Sequence, residues 1–457
     1  MAAEVASELL DELRAVVGDQ HVLTTDDVTE AYRVDWMGRY RAESAVVVRP
    51  ADTAEVVAVV HVCARHGAPI CPQGGNTGMV GASVPLGGEV VVSTKRLQRL
   101  DPVDERAGTV VVGAGVTLGD LQRHAETAGF EYAVDLGARD TATVGGTVAT
   151  NAGGTHVIRR GTTRANCVGV EAVLADSSIV GDLAGLVKDN TGYHLPSLFC
   201  GSEGTLGIIT AATMKLHRPL AERVTALVAF SDVDSATAAV GELARHHLPV
   251  DAVEFMLGGG VELVRSTFDL PAPFEAVHPG YLLVECSDDE PLDDRVGDVL
   301  SQVPGVVDAA VASSRAQREA LWKYRELHTE SINMVGPPVK LDVTVPLGRL
   351  SEFIADIGGR VRASFPVAEV WLFGHAGDGN IHVNVTGVDT AHMGRCTDLV
   401  LDRVVSMGGS VSAEHGIGRM KKDWLERQRG SADVAAFRAI KRSLDPDGLF
   451  QPDVLLP

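Results

Sequence analysis

Apolar residues near the start recur at helical spacing, with Leu9, Leu10, Leu13 and Val17 on one side. Residues 45–50 (AVVVRP) read as a strand closed by proline. Asp52 and Glu55 then form a capping-box-like start for a helix over 53–65, with Gly67 past its end. Strands are expected over 69–72, 89–93 and 109–115, and a helix over 117–129 that stops at Gly129. Such alternation of helix and strand, punctuated by glycine turns, indicates α/β layering. From there to about residue 215 glycine is dense and few helices are expected.

The pattern changes near Pro219. Strands over 223–230, 250–256, 280–286 and 305–313 and helices over 234–247 and 292–303 predict an antiparallel sheet with helices on one face. A helix over 315–334 and strands over 340–346, 370–373 and 381–385 extend it. The expected class is α+β, with a first domain over 1–218, a second over 219–420 and a C-terminal segment, 421–457, that returns to the first.

Composition narrows the function. The net charge of −21 argues against a nucleic-acid or anionic-membrane partner. The six cysteines lack CxxC spacing and read as buried apolar residues in a reducing compartment. The acidic start fits neither a secretory signal nor a transit peptide, and no apolar run of about 18 residues suggests a transmembrane segment, so a cytoplasmic protein is expected. Glycine is concentrated: 25 of the 49 lie in residues 67–207.

That concentration has a centre in Pro72-Gln73-Gly74-Gly75-Asn76-Thr77-Gly78, directly after a strand. Such a loop can turn successive N–H groups onto one point and bind phosphate oxygens without a cationic side chain; an ordinary glycine turn is the plainer alternative. Further on come Asp135-Leu136-Gly137, the run 143–154 (TVGGTVATNAGG), 188–193 (KDNTGY) and 201–209 (GSEGTLGII). In this order the segments resemble the FAD-binding domain of the vanillyl-alcohol-oxidase (PCMH-type) flavoproteins. The resemblance is to the D-2-hydroxy-acid dehydrogenase branch, with its D-2-hydroxyglutarate and D-lactate dehydrogenases, and runs from about residue 45 to the end.

The resemblance implies a two-subdomain PCMH-type FAD domain followed by an α/β cap domain. Gly74, Gly75, Asn76, Thr77 and Gly78, after Pro72, would hold the pyrophosphate; Asp135, Gly137, Thr143, Gly145, Gly146, Asn151 and Gly154 would lie along the dinucleotide and flavin; Glu203, Gly204 and Ile208 would support the adenine and ribose end. Glycine would serve there because a Cβ holds the backbone off the cofactor. Members with covalent flavin often carry histidine in this loop; Asn76 in its place implies non-covalent FAD.

A second constellation lies in 374–385 (GHAGDGNIHVNV) and 412–418 (SAEHGIG). On a strand, His382 and Asn384 share one face while Ile381 and Val383 face a core. Two histidines and a carboxylate suit a divalent ion with open positions, Zn, Mn, Fe or Co; taken singly, each histidine is as readily structural. The resemblance matches His375, His382 and Glu414 to metal ligands and His415 to a general base, with Asn380 at the flavin and Asn384 near the substrate. Arg325 and Thr329, four apart on the expected helix 315–334, share a face, and Lys340 opens the next strand. A solvated helix face is their ordinary fate, but the resemblance matches Arg325 and Lys340 to substrate-carboxylate contacts.

These implications describe an FAD-dependent, metal-assisted dehydrogenase that oxidises a D-2-hydroxy acid, with a dicarboxylate such as 2-hydroxyglutarate favoured and D-lactate or glycolate as alternatives. Electrons would leave to a separate acceptor: an electron-transfer flavoprotein, a cytochrome or a quinone. A homodimer is admitted. The competing classes are a non-catalytic flavoprotein subunit of a larger complex, a redox-neutral flavin transferase and a zinc-binding structural protein.

Overall fold

The computed structural model describes residues 2–457. Its contacts divide the chain into two compact units. The first contains the chain up to Gly154 together with Gly161–Pro219 and Glu414–Pro457; the second contains Thr155–Arg160 and Leu220–Ala413.

The first unit holds two four-stranded sheets. Its strands are β1 (Val22–Leu23), β2 (Val46–Val48), β3 (Ile70–Gln73), β4 (Val90–Ser93), β5 (Thr109–Gly113), β6 (Cys167–Val173), β7 (Ile179–Asp182) and β8 (Ile208–Lys215). One sheet runs β1-β2-β4-β3, with β2, β4 and β3 parallel; the other runs β5-β8-β6-β7 and is antiparallel. The valine runs of β2 and β4 are almost wholly buried, as strands covered on both faces require. Helix Thr53–His66 starts at a reciprocal cap, where Asp52 accepts from the Glu55 N–H and Glu55 accepts from the Ala51 N–H. It buries Val56, Val59, Val60 and Cys63. The glycine-dense stretch is richer in order than expected. It contains β6, β7, β8 and the short helix Val144–Thr150, which Thr143 caps by accepting from the Gly146 N–H. At the far end of the chain, Phe450 pairs in parallel with Ile70, so the terminal segment adds to the β3 edge.

The second unit is a seven-stranded antiparallel sheet of β9 (Glu222–Phe230), β10 (Val250–Leu257), β11 (Gly280–Asp288), β12 (Val306–Ala312), β13 (Val339–Thr344), β14 (Glu369–His375) and β15 (Asn380–Thr386). The order is β12-β9-β11-β10-β14-β15-β13. Helices cover both faces, which corrects the one-face expectation. Met256, Leu283 and Phe373 pack with Tyr324 and Ile332 from helices Arg315–Glu326 and His328–Val335. On the opposite face, beside Phe255 and Gly280, lies Ala236 of helix Val233–Arg245. The helix expected over 315–334 is two helices, broken at Leu327. Helix Gly258–Phe268 was masked in the sequence by its three leading glycines. A Cβ on Gly260 would strike His328, so glycine there is a packing requirement.

Candidate active site

A cavity of about 370 Å³ opens in the first unit, within the roughly 300–1,000 Å³ usual for cofactor and ligand pockets. The glycine loop forms one wall with Pro72, Gly74, Gly75, Asn76, Thr77 and Gly78. Gly137, Thr143, Gly145 and Gly146 form another, and Glu203, Gly204 and Ile208 a third. Glu414 and His415 also line it. Asp135, Asn151 and Gly154 do not. Asp135 is engaged by Gln122 and Arg139; Asn151 ends helix Val144–Thr150 and accepts from the Arg164 N–H; a Cβ on Gly154 would meet the Asp135 carbonyl.

The glycines divide by what a Cβ would meet. At Gly74 it would strike Thr143 Oγ1, at Gly75 the Thr141 carbonyl oxygen and at Gly145 the Ala114 side chain. These three serve protein packing, which amends the expectation that all keep the backbone off a cofactor. Gly78 and Gly137 face open space, and their clearance suits a bound dinucleotide. Asn76 takes the left-handed conformation, φ 57°. Its Nδ2 donates to the Ala31 and Val34 carbonyls and its Oδ1 accepts from Ser83. The side chain therefore anchors the loop, leaving backbone N–H groups as its means of binding an anion.

Two wall residues were not legible in the sequence: Gln73 and Gln451. Each amide nitrogen donates to a carbonyl, and each buried Oε1 has no partner among the described residues. Paired acceptors of this kind fit a ligand bearing amine, imide or hydroxyl donors, as FAD does. Gln451 belongs to the terminal segment beside β3, and nothing in QPDV marks it as a cleft residue.

Glu203, besides lining the cavity, holds a neighbouring turn. Its carboxylate is buried and accepts from the N–H groups of Ile417 (2.8 Å) and Gly418 (2.7 Å). Burial raises its pKa, partly offset by these N–H groups and by Lys421. Glu203 thereby fixes the turn that follows His415.

In the second unit, strand register collects the polar residues. Lys340 is opposite Asn384, Asp342 opposite His382, and Thr344 opposite Asn380. Phe373 is opposite His382, Trp371 opposite Asn384, and Glu254 opposite His375. Period-two alternation puts all of them on one face, while Ile381 and Val383 on the other are fully buried. The His375 and His382 ring centroids are 5.4 Å apart. Buried Glu254 accepts from His375 Nδ1 (2.6 Å) and from Arg325 Nε (2.6 Å). Burial alone would raise the Glu254 pKa, but His375 and Arg325 outweigh it and hold it at about 2. A carboxylate only accepts, so His375 carries a hydrogen on Nδ1, and Nε2 is the ring nitrogen that can serve as a metal ligand once the ring is neutral. His382 Nδ1 lies 3.4 Å from buried Asp342 Oδ1, a looser contact that sets a negative charge beside the ring.

Arg325 is buried, with its guanidinium 4.8 Å above the Phe373 ring, and its Nη groups have no protein partner among the described residues. Thr329 is exposed. The helix break at Leu327 separates the two, so the shared face expected of them is not formed. Asn380 donates to Asp342 Oδ1 (2.7 Å) and to the Val343 carbonyl, and its buried Oδ1 has no partner among the described residues. Asn384 is buried, and its side chain makes no hydrogen bond among the described residues. The Ala413 N–H donates to the Asp342 carbonyl, and Glu414 is the next residue along the chain. His328, unmarked by any motif, packs on Phe373 at 4.8 Å between ring centroids. Burial first and Arg325 second lower its pKa to about 3, so it is neutral. All six cysteines are buried and unpaired. No described helix is long and apolar enough to cross a membrane.

Comparison with known proteins follows the same division. Residues 44–181 match the FAD binding domain family and residues 220–455 the C-terminal domain of FAD linked oxidases. The chain is 36% identical to a mitochondrial D-2-hydroxyglutarate dehydrogenase of Bos taurus, over 99% of its own length and 84% of the relative's. It is 34% identical to a D-2-hydroxyglutarate dehydrogenase of Stutzerimonas stutzeri, over 97% and 98% of the two chains. Among solved structures it resembles p-cresol methylhydroxylase, with a TM-score of 0.79 at 17% identity, over 98% of this chain and 96% of that one.

Proposed function

The chain belongs to the FAD-linked oxidases, and from that premise we propose that it oxidises a D-2-hydroxy acid of the 2-hydroxyglutarate class to the 2-oxo acid. The carrying observation is the polar sheet face, where buried carboxylates orient one imidazole and a guanidinium and lie beside a second imidazole. Both relatives are D-2-hydroxyglutarate dehydrogenases, which supports the same reading.

In this reading the cavity of the first unit holds FAD without a covalent link, and His375, His382 and Glu414 hold a divalent ion, Zn, Mn, Fe or Co. When bound, FAD would supply a hydride acceptor at N5 and the ion a Lewis acid that lowers the pKa of the substrate alcohol. His415 accepts the hydroxyl proton, a task suited to imidazole near neutral pH. The Nη pair of Arg325 grips a substrate carboxylate in a fork, and Lys340 adds a second cation. Asn384 offers its uncommitted amide to the substrate, and Asn380 would be the residue at the flavin. Electrons then pass to a separate acceptor.

The test is anaerobic addition of D- and L-2-hydroxyglutarate, D-lactate and glycolate to the purified yellow protein, before and after dialysis against a chelator. Bleaching at 450 nm by D-2-hydroxyglutarate, lost on chelation and restored by zinc or manganese, is expected. A protein without flavin, or flavin indifferent to every 2-hydroxy acid, refutes the reading; preference for lactate or glycolate corrects its substrate.

A further inference from the structure

We propose that Glu254 is a positioning residue that locks the metal-binding imidazole and the substrate-binding guanidinium into a single unit, an inference that rests on the roles just given to His375 and Arg325. Strand β10 places Glu254 directly opposite His375 in the ladder, and helix Arg315–Glu326 brings Arg325 to the same carboxylate. The two oxygens are divided between them, Oε1 to His375 Nδ1 and Oε2 to Arg325 Nε, each at 2.6 Å. The Glu254 side chain is 1% exposed.

Neither bond touches a ligand-facing atom. Holding His375 by Nδ1 directs Nε2 outward, and holding Arg325 by Nε leaves both Nη groups to act as a fork. The cross-strand neighbours of Glu254 and Met256 include Leu283, Phe373 and Tyr281, none of which carries a carboxylate to replace it. Stability alone gives little reason for the arrangement. Buried ion pairs are costly to desolvate, and well-packed apolar residues often serve as well. Orientation of two functional groups is what the carboxylate supplies and an apolar residue could not. A nearby carboxylate, Glu285, provides the contrast. It is also buried, but its oxygens are taken by His156, Trp322 and Thr225, none of which is assigned to metal or substrate.

The test uses holoenzyme carrying Glu254→Gln, Glu254→Asp, Glu285→Gln or His375→Ala. Zn(II) affinity is read by competition with a chromophoric chelator, KM for D-2-hydroxyglutarate with an artificial acceptor, and flavin content by absorbance. Glutamine keeps the shape but offers one acceptor oxygen for two donors. Glu254→Gln is therefore expected to weaken zinc binding roughly 10- to 100-fold and to raise KM by about tenfold, with flavin content retained. Glu254→Asp keeps the charge and recovers part of both; it also serves if the glutamine variant does not fold. Glu285→Gln should leave zinc binding intact. Zinc affinity that depends on His375 but is indifferent to both Glu254 variants overturns the inference alone. So does a fall in zinc affinity without a rise in KM, or an equal fall in Glu285→Gln. Zinc binding indifferent to His375→Ala overturns the metal reading itself, and this inference with it.

Discussion

His415 lines the cavity of the first unit, and the turn after it is pinned by two N–H bonds to Glu203. As the proposed proton acceptor, His415→Ala should lower kcat by roughly 10²- to 10⁴-fold while flavin content is unchanged. Steady-state kinetics beside the 450 nm absorbance decide it, and a rate within twofold of the parent rules the role out. At this scale the sequence revealed residue types better than tasks. Histidine and glutamate in glycine turns stood out as candidates. That Asn76 anchors its loop through Ala31, Val34 and Ser83, and that Glu203 steadies a segment more than 200 positions away, was not. Side-chain direction in an irregular loop leaves no periodic trace. Glu254 was hidden for a related reason: in VDAVEFM it is one of two acidic letters, with Asp251, in an otherwise apolar strand.

Among elements, strands with strong patterns were legible and their pairing was not. The run IHVNV announced which side chains share a face, but the opposition of Glu254 to His375 and of Asp342 to His382 comes from register between distant strands. The break at Leu327 was missed because both helices carry helix-forming residues and no proline or glycine separates them. The loop after β3 gives a sharper test. Gly75→Ala drives a Cβ into the Thr141 carbonyl and should destabilise the protein by about 1–3 kcal/mol, with loss of flavin. Gly78→Ala meets nothing within 4 Å and should leave the melting temperature alone while weakening FAD binding. Thermal unfolding and flavin titration separate the two. Equal melting temperatures for both variants would contradict the division of the glycines.

For the molecule as a whole, a net charge of −21 coexists with a proposed anionic cofactor and anionic substrate. Local groups must carry the binding: backbone N–H groups in the first unit, Arg325 and Lys340 in the second. The acid limb of stability belongs to this scale too. Burial opposes ionisation of Glu285, but His156 and Trp322 hold its pKa at about 2, and His375 and Arg325 do the same for Glu254. Both values are depressed from 4.5, so their stabilising contribution is present above about pH 4.5 and is lost as pH falls toward 2. Denaturant midpoints should drop across that window, and Glu285→Gln should flatten the drop; an unaltered slope would sink this account. The first unit is also discontinuous: residues 220–413 are spelled out before Glu414, His415 and Gln451 complete its cavity. On the ribosome, the seven-stranded sheet is therefore made before the cleft has its last wall. Flavin capture in that finished cleft therefore waits until residues 414–451 have followed the sheet out of the ribosome.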